Sequence, residues 1–261
     1  MTNIPNVLIA IPVLLVGGTE MQTLTLVRVL VATGYRVTVC CYYEFNEQMV
    51  KEMKSAGASV ILVRLNRSDG RFGVVRAFEL TCHLVHLFRE FNPDIVHVQY
   101  VAPGFIPILA AKIARVPKLF ATVHQPGRVY GWKERFLLRT AARLCTAFFC
   151  VSQSAEASWF GDSQIFNPKL IPNRRKHFTL YNAVDVSRIA RIIEQVDVKQ
   201  LCRSLGIENK KVIGVVGRLR SEKGHAFLLD AMVEVLRDYS EVILLVVGDG
   251  PDRGDLIKKA E

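Results

Sequence analysis

Val7-Leu8-Ile9-Ala10-Ile11-Pro12-Val13-Leu14-Leu15-Val16-Gly17-Gly18-Thr19-Glu20-Met21-Gln22 runs from a nearly continuous apolar segment, through a glycine pair, into a pattern of helical period that lasts to Thr33. A short apolar run without alternation suits a strand covered on both faces, so Val7–Leu15 is expected to be the first strand. Thr19 to Thr33 is expected to be a helix, with Thr19 and Gln22 at capping-box spacing and Gly34 at the stop. Strand, tight turn and helix in this order are the first half of a β-α-β unit, which requires a parallel sheet layered with helices.

The same alternation continues outward. Val37–Tyr43, Val60–Leu65, Ile95–Gln99, Leu119–His124 and Ala147–Val151 read as strands, with helices over Glu47–Ala56 and about Val74–Phe91, the latter ended by Asn92-Pro93. Beyond Asn182-Ala183-Val184-Asp185 the pattern changes: Ser187–Leu205 reads as one amphipathic helical connector closed by Gly206. A second α/β series follows, with strand Val212–Val216, helix His225–Tyr239, strand Val242–Val247 and a helix opening after Pro251. The expected organisation is therefore a Rossmann-like domain over residues 1–185, a helical connector over 186–206, and part of a second Rossmann-like domain over 207–261. Two strands and two helices in that last part bury little surface, so it is expected to be incomplete.

Composition excludes several classes. With half of its 261 residues apolar and 22% charged, the chain is not mainly disordered. The apolar run from Val7 to Val16 is interrupted by Pro12 and is too short for a bilayer span of about 20 residues. No Lys or Arg precedes Arg28, so the start lacks a signal peptide's basic region, and a soluble, unprocessed, cytoplasmic chain is expected. Six cysteines (Cys40, Cys41, Cys82, Cys145, Cys150, Cys202) form no Cys-x-x-Cys pair and sit mostly among apolar neighbours, as free thiols do in a reducing compartment. The net charge of +10 is concentrated: Lys112 to Arg143 holds eight basic residues against one acid, Glu134, and Arg174-Arg175-Lys176 adds a triplet. Such clustering suggests an anionic partner, although any one of these cations taken alone reads sooner as part of an ordinary solvated helix face.

Four places could carry chemistry. Gly17-Gly18 lies at the carboxyl end of the first strand, where ligands of open parallel sheets bind and a helix N-terminus favours an anion; an ordinary tight turn accounts for it as well. Gly217-Arg218-Leu219-Arg220-Ser221-Glu222-Lys223-Gly224 follows an apolar strand and runs into a helix, so Arg218 and Lys223 can converge on one anion, such as a departing diphosphate, although two solvated loop cations are also a common surface feature. Gly248-Asp249-Gly250-Pro251-Asp252-Arg253-Gly254 has one residue too many for a dinucleotide fingerprint and reads as a structural turn with Pro at the first helical position. His124 ends a strand and can face the ligand crevice, with His97 and Gln99 at the end of the preceding strand forming a polar cluster; a histidine bonded to a neighbouring backbone group accounts for it as well. Glu79, His83 and His86 share a helix face but read as solvated surface, so no metal site is expected. No P-loop, nucleophile elbow or zinc-protease motif is present.

Taken together, Gly17-Gly18-Thr19-Glu20, Pro93-Asp94-Ile95-Val96-His97, Thr122-Val123-His124, Val151-Ser152, Asn182-Ala183-Val184-Asp185, Gly217-Arg218-Leu219 with Lys223-Gly224, and Val247-Gly248-Asp249-Gly250-Pro251 resemble the retaining family-four glycosyltransferases of GT-B fold. The resemblance spans the chain. It implies an α/β protein of two Rossmann-like domains, acceptor selection mainly in the first and nucleotide-sugar binding mainly in the second. It implies sugar transfer to an acceptor hydroxyl with retention of configuration and no obligatory metal or other cofactor. By matching position, Arg218 and Lys223 would hold the donor diphosphate, Gly17 and Gly18 would lie against the same group, and His124 would sit beside the transferred sugar as the catalytic position. The expected partners are a nucleotide-sugar donor and a glycan, lipid-linked or phosphorylated acceptor, with peripheral contact to an anionic membrane on its inner face and no nucleic acid. Three departures stand out: Gln125 follows His124 where an acid is frequent, Ala183 replaces a usual Gly, and the family's glutamate pair would lie beyond Glu261. The 261-residue chain alone is therefore expected to be poorly active. The alternatives are a docking module or split-enzyme subunit that binds an anionic lipid or glycan carrier, and a nucleotide-sugar epimerase of the same architecture.

Overall fold

The computed structural model describes residues 4–65, 73–99, 105–170 and 175–261. Arg174 of the basic triplet lies outside them. The chain divides into two compact units, Met1–Asp185 and Val186–Glu261, and the segment expected to act as a connector groups with the second.

The first unit holds seven strands: β1 (Asn6–Ile11), β2 (Arg36–Cys41), β3 (Ser59–Leu62), β4 (Ile95–Gln99), β5 (Lys118–Val123), β6 (Ala147–Cys150) and β7 (His177–Thr179). They form one parallel sheet in the order β3-β2-β1-β4-β5-β6-β7. Because the order reverses between β1 and β4, the carboxyl ends of those strands flank a topological switch point. The crossovers carry α1 (Gly18–Ala32), α2 (Glu47–Ser55), α3 (Gly73–Phe91), α4 (Ile106–Ile113), α5 (Trp132–Leu144) and α6 (Gln153–Phe160).

The sheet is buried on both faces. Along β1, Val7, Ile9 and Ile11 join one core with α1 and α2 residues such as Leu24, Val27 and Met53. Leu8 and Ala10 join the other, with Leu84 and Phe88 of α3 and Ile108 of α4. Period-two alternation between two apolar cores is why this strand reads as an unbroken run.

Three local expectations over residues 1–206 are corrected, and one strand is added. β1 ends at Ile11, not Leu15: Pro12 has no N–H to donate, and Leu14 instead forms an isolated bridge with Phe45. The Thr19/Gln22 capping box does not form; α1 starts at Gly18 with Gly17 as N-cap and no side-chain cap bond. Gln22 Oε1 accepts the Ala183 N–H instead (3.2 Å), tying α1 to the Asn182–Asp185 motif. The single helix expected over Ser187–Leu205 is two, α7 (Val186–Glu194) and α8 (Val198–Ser204), because Asp197 starts a new N-cap by accepting from Gln200 N (3.0 Å). Strand β7 was not expected at all.

The second unit pairs β8 (Lys211–Val216) with β9 (Val242–Val247) in parallel, joined by α9 (His225–Asp238) and followed by α10 (Arg253–Ala260). Pro251 lies in the turn before α10, with Asp252 as N-cap, and is not the first helical residue. Among the described residues only Ile207, Leu219, His225 and Met232 are buried in this unit.

Candidate functional site

In the first unit, the register of β4 against β5 sets Gln99 beside Thr122 and His97 beside Phe120. Alternation then puts His97, Gln99, Phe120 and Thr122 on one face of the sheet, and His124 follows at the end of β5. The polar groups form a chain. Thr122 Oγ1 lies 2.8 Å from His97 Nε2, Gln99 Nε2 lies 3.4 Å from the same atom, and Gln99 Oε1 lies 3.0 Å from His124 Nε2. A proton arrangement consistent with these contacts has His124 Nε2–H donating to the Gln99 carbonyl and the single lone pair of His97 Nε2 accepting from the Thr122 hydroxyl, with the more distant Gln99 amide a weak second donor to it. His97 then carries its proton on Nδ1, and His124 keeps an Nδ1 lone pair that accepts no hydrogen bond among the described residues.

Burial disfavours the imidazolium at both positions. It pushes the His124 pKa from 6.5 down to about 4. His97 is likewise lowered to about 4, by burial first and then by the neighbouring His124. At neutral pH both rings are uncharged, so His124 can offer hydrogen bonds but not a positive charge.

Gly17 ends the turn after β1. A Cβ added there would meet Glu20 Oε2 at 2.6 Å, whereas one at Gly18 would meet nothing within 4 Å. Gly17, the N-cap of α1, has no side chain to cap the helix, and the buried Glu20 of the first turn brings its carboxylate up beside it.

In the second unit, the 217–224 loop is fixed by backbone. The Gly217 N–H donates to Val247 O (3.0 Å), Leu219 N–H to Asp249 O (2.9 Å), and Asp252 N–H to Leu219 O (3.2 Å). Gly248 and Gly250 allow this approach: a Cβ at Gly248 would sit 1.9 Å from Gly217 O, and one at Gly250 2.2 Å from Leu219 O. The three cations of the loop differ. Arg220 pairs with Glu222 (3.5 Å), while Arg218 and Lys223 are exposed and have no ion-pair partner among the described residues. Next to them is a residue that sequence reasoning read only as a helix start. His225 is buried, neither ring nitrogen has a hydrogen-bond partner among the described residues, and its ring would lie 3.9 Å from a Cβ on Gly217. Its place directly after the left-handed Gly224 was the available signal.

Other candidates are engaged elsewhere. Arg175 of the basic triplet is spent internally on Glu156 (2.8 Å) and Asp162 (2.8 Å), so it does not serve the anionic partner suggested by charge clustering. Within the Lys112–Arg143 stretch, Arg135 and Arg139 donate to the Ser158 and Trp159 carbonyls (2.7 Å each). His83 Nδ1 contacts Glu79 O one turn earlier (2.9 Å), and His86 lies 3.8 Å from Glu90.

Comparison with known proteins agrees with this layout. Residues 16–188 match the profile of Glycosyltransferase Family 4, and residues 197–261 match that of Glycosyl transferases group 1. The UDP-Gal:alpha-D-GlcNAc-diphosphoundecaprenol alpha-1,3-galactosyltransferase of Escherichia coli is 27% identical over 186 residues, covering 66% of this chain and 45% of that protein. The GDP-mannose-dependent alpha-mannosyltransferase of Corynebacterium glutamicum is 28% identical over 178 residues, covering 64% and 38%. The chain thus spans under half the length of these curated relatives. Among solved structures, Anabaena HepE in complex with UDP and glucose superposes with a TM-score of 0.72 at 17% identity, covering 98% of this chain and 64% of that one. The UDP-GlcNAc 2-epimerase of Neisseria meningitidis gives 0.63 at 15% identity, covering 98% and 68%; at these identities the likeness concerns the fold. With α/β architecture of GT-B type and a family profile matched from Val16 to Arg188, the chain belongs to Glycosyltransferase Family 4.

Proposed function

We propose that this chain serves the transfer of a sugar from a nucleoside-diphosphate sugar to an acceptor hydroxyl, with retention at the anomeric carbon and without a metal. The observation that carries the reading is the 217–224 loop, a backbone-clamped turn with two exposed cations, Arg218 and Lys223, that have no ion-pair partner among the described residues. Positive charge held there would stabilise the diphosphate as it leaves, the role a divalent ion plays elsewhere. In the first unit, the empty space beside Gly18 would let an anionic group approach the start of α1 closely. Neutral His124 would orient a sugar hydroxyl through its free Nδ1, a contribution of positioning and not of proton removal. Donors named for the relatives, UDP-Gal and GDP-mannose, support the donor class. The diphosphoundecaprenol acceptor named for one of them supports a lipid-linked or phosphorylated glycan as acceptor.

Calorimetric titration with UDP and GDP tests the donor site without depending on turnover. One nucleotide should bind, and Arg218→Ala or Lys223→Ala should each weaken it by about tenfold or more, a charge-assisted contact to phosphate being worth roughly 1.5–3 kcal/mol. Retention is read from the anomeric coupling of any product, and metal independence from its insensitivity to chelator. Equal affinity in wild type and both variants would sink the assignment.

A further inference from the structure

The outward face of α5 is not used by the site described above. Successive residues of a helix turn by about 100°, so Trp132, Phe136, Arg139 and Arg143 (i, i+4, i+7, i+11) form one stripe, flanked by Lys133 and Thr140. The opposite stripe, Leu138, Ala141 and Ala142, is buried against the core. Trp132 is 76% exposed and Phe136 64%, and Val129, just before the helix, is 71% exposed. A water-soluble surface gains nothing from exposing two large aromatic side chains one turn apart.

The charge around them has one sign. Lys133 Nζ lies 5.6 Å from the centre of the Trp132 ring. Neither Lys133 nor Arg143 has an ion-pair partner among the described residues, and Arg139 uses only Nε, on Trp159 O. The aromatic end borders a hollow of about 510 Å³ shared with Tyr130 and Arg135. The other end borders one of about 260 Å³ lined by Arg139, Arg143 and Lys176. The helix's only acid, Glu134, lies off the stripe in the first turn.

We infer that this face of α5 docks on an anionic lipid bilayer, with Trp132 and Phe136 entering the headgroup boundary and Lys133, Arg139, Arg143 and Lys176 contacting lipid phosphates. Aromatic rings with one polar edge partition to that boundary, and flanking cations add attraction to anionic headgroups. The inference deepens the proposed function, resting on it for the lipid-linked acceptor that docking would bring within reach, but it is read by vesicle binding and needs no turnover.

The chain has two tryptophans, and the second, Trp159, is fully buried, so a change in emission on docking reports Trp132. With phosphatidylcholine vesicles containing roughly 30% phosphatidylglycerol, we expect co-sedimentation, a blue shift in emission, and weakening as salt rises. Pure phosphatidylcholine vesicles should bind at least about tenfold more weakly. W132A/F136A should lose the shift and most of the binding while keeping the wild-type circular dichroism, and K133E/R143E should lose the salt-sensitive part. F136W, which keeps an aromatic ring, should bind as wild type with a larger shift. Absence of vesicle binding by wild type, or unchanged binding by a folded W132A/F136A, overturns the inference. UDP and GDP titration of the same variants should match wild type; loss of nucleotide binding in wild type itself would instead remove the transferase reading and leave the docking result standing.

Discussion

His97 and His124 gain their neutrality from burial, and that makes folding sensitive to acid in a defined window. Both have folded pKa values lowered from 6.5 to about 4. Between those values the unfolded chain binds more protons than the folded one, so stability is fully present above 6.5 and is lost as pH falls toward 4. With two groups the slope approaches about 2.7 kcal/mol per pH unit in mid-window. Urea unfolding midpoints at pH 7, 6 and 5 should fall accordingly, and His97→Gln should remove about one proton of that slope; a flat profile would contradict the buried, uncharged pair. Gln99 bridges the two rings, so Gln99→Leu should leave the His124 Nε2–H unpaired, cost roughly 1–3 kcal/mol, and shift the His124 tautomer signal in ¹⁵N spectra. The strand-end positions of His97, Gln99 and His124 were legible from sequence because the apolar runs stop there. Thr122 was not, since its hydroxyl meets His97 only through the β4–β5 register, which no local pattern encodes.

Strand β7 shows how an element escapes sequence reading. It has three residues, of which only Phe178 is a large apolar side chain, and it sits at the sheet edge. Side chains hold it from the outside. Glu156 of α6 is fully buried and accepts from Thr179 Oγ1 (2.6 Å), Arg175 (2.8 Å), the Gln164 N–H (3.0 Å) and the His177 ring (2.7 Å). Burial opposes its ionisation, yet hydrogen bonds from His177, Thr179, Arg175 and Gln164 outweigh that and hold its carboxyl below the usual range. Removing it strands several donors at once, so Glu156→Ala should destabilise the first unit by roughly 3–5 kcal/mol, with Glu156→Gln losing less because it keeps an acceptor; equal melting of Ala and wild type would deny the network its role. The β9–α10 turn gives a second contrast within one motif. Gly248→Ala places a methyl 1.9 Å from Gly217 O and must displace the Arg218 loop, whereas a Cβ on Gly254, inside α10, meets nothing within 4 Å. Nucleotide binding should therefore drop by about tenfold or more in Gly248→Ala, the drop expected on losing a loop cation's phosphate contact, and stay unchanged in Gly254→Ala.

At the scale of the whole chain, the two units differ in how much they bury, and this orders their stability. The first has a seven-stranded sheet with an apolar core on each face, and its central strands β1, β4 and β5 are enclosed by neighbours on both edges. The second has one pair of strands, four buried residues, and apolar side chains such as Val216 and Phe227 about 80% exposed (82% and 79%). The alternation of strands and helices was readable in both, because the strands other than β7 are compact, largely apolar runs. The break at Asp197 was not, since a capping aspartate inside an amphipathic pattern leaves the apolar period intact. Local opening free energy follows buried apolar contact, so hydrogen exchange should show the amides of β8 and β9 opening well below those of β1, β4 and β5. A ligand that binds only the folded form adds protection in proportion to its saturation, about 2.7 kcal/mol at a hundred times its dissociation constant. A bound nucleoside diphosphate should therefore slow exchange through β8, the 217–224 loop and β9 while leaving the centre of the first sheet unchanged. Protection that rises in the first unit and not around Arg218 and Lys223 would move the donor site out of the second unit; uniform protection of both sheets without ligand would refute the ordering by burial.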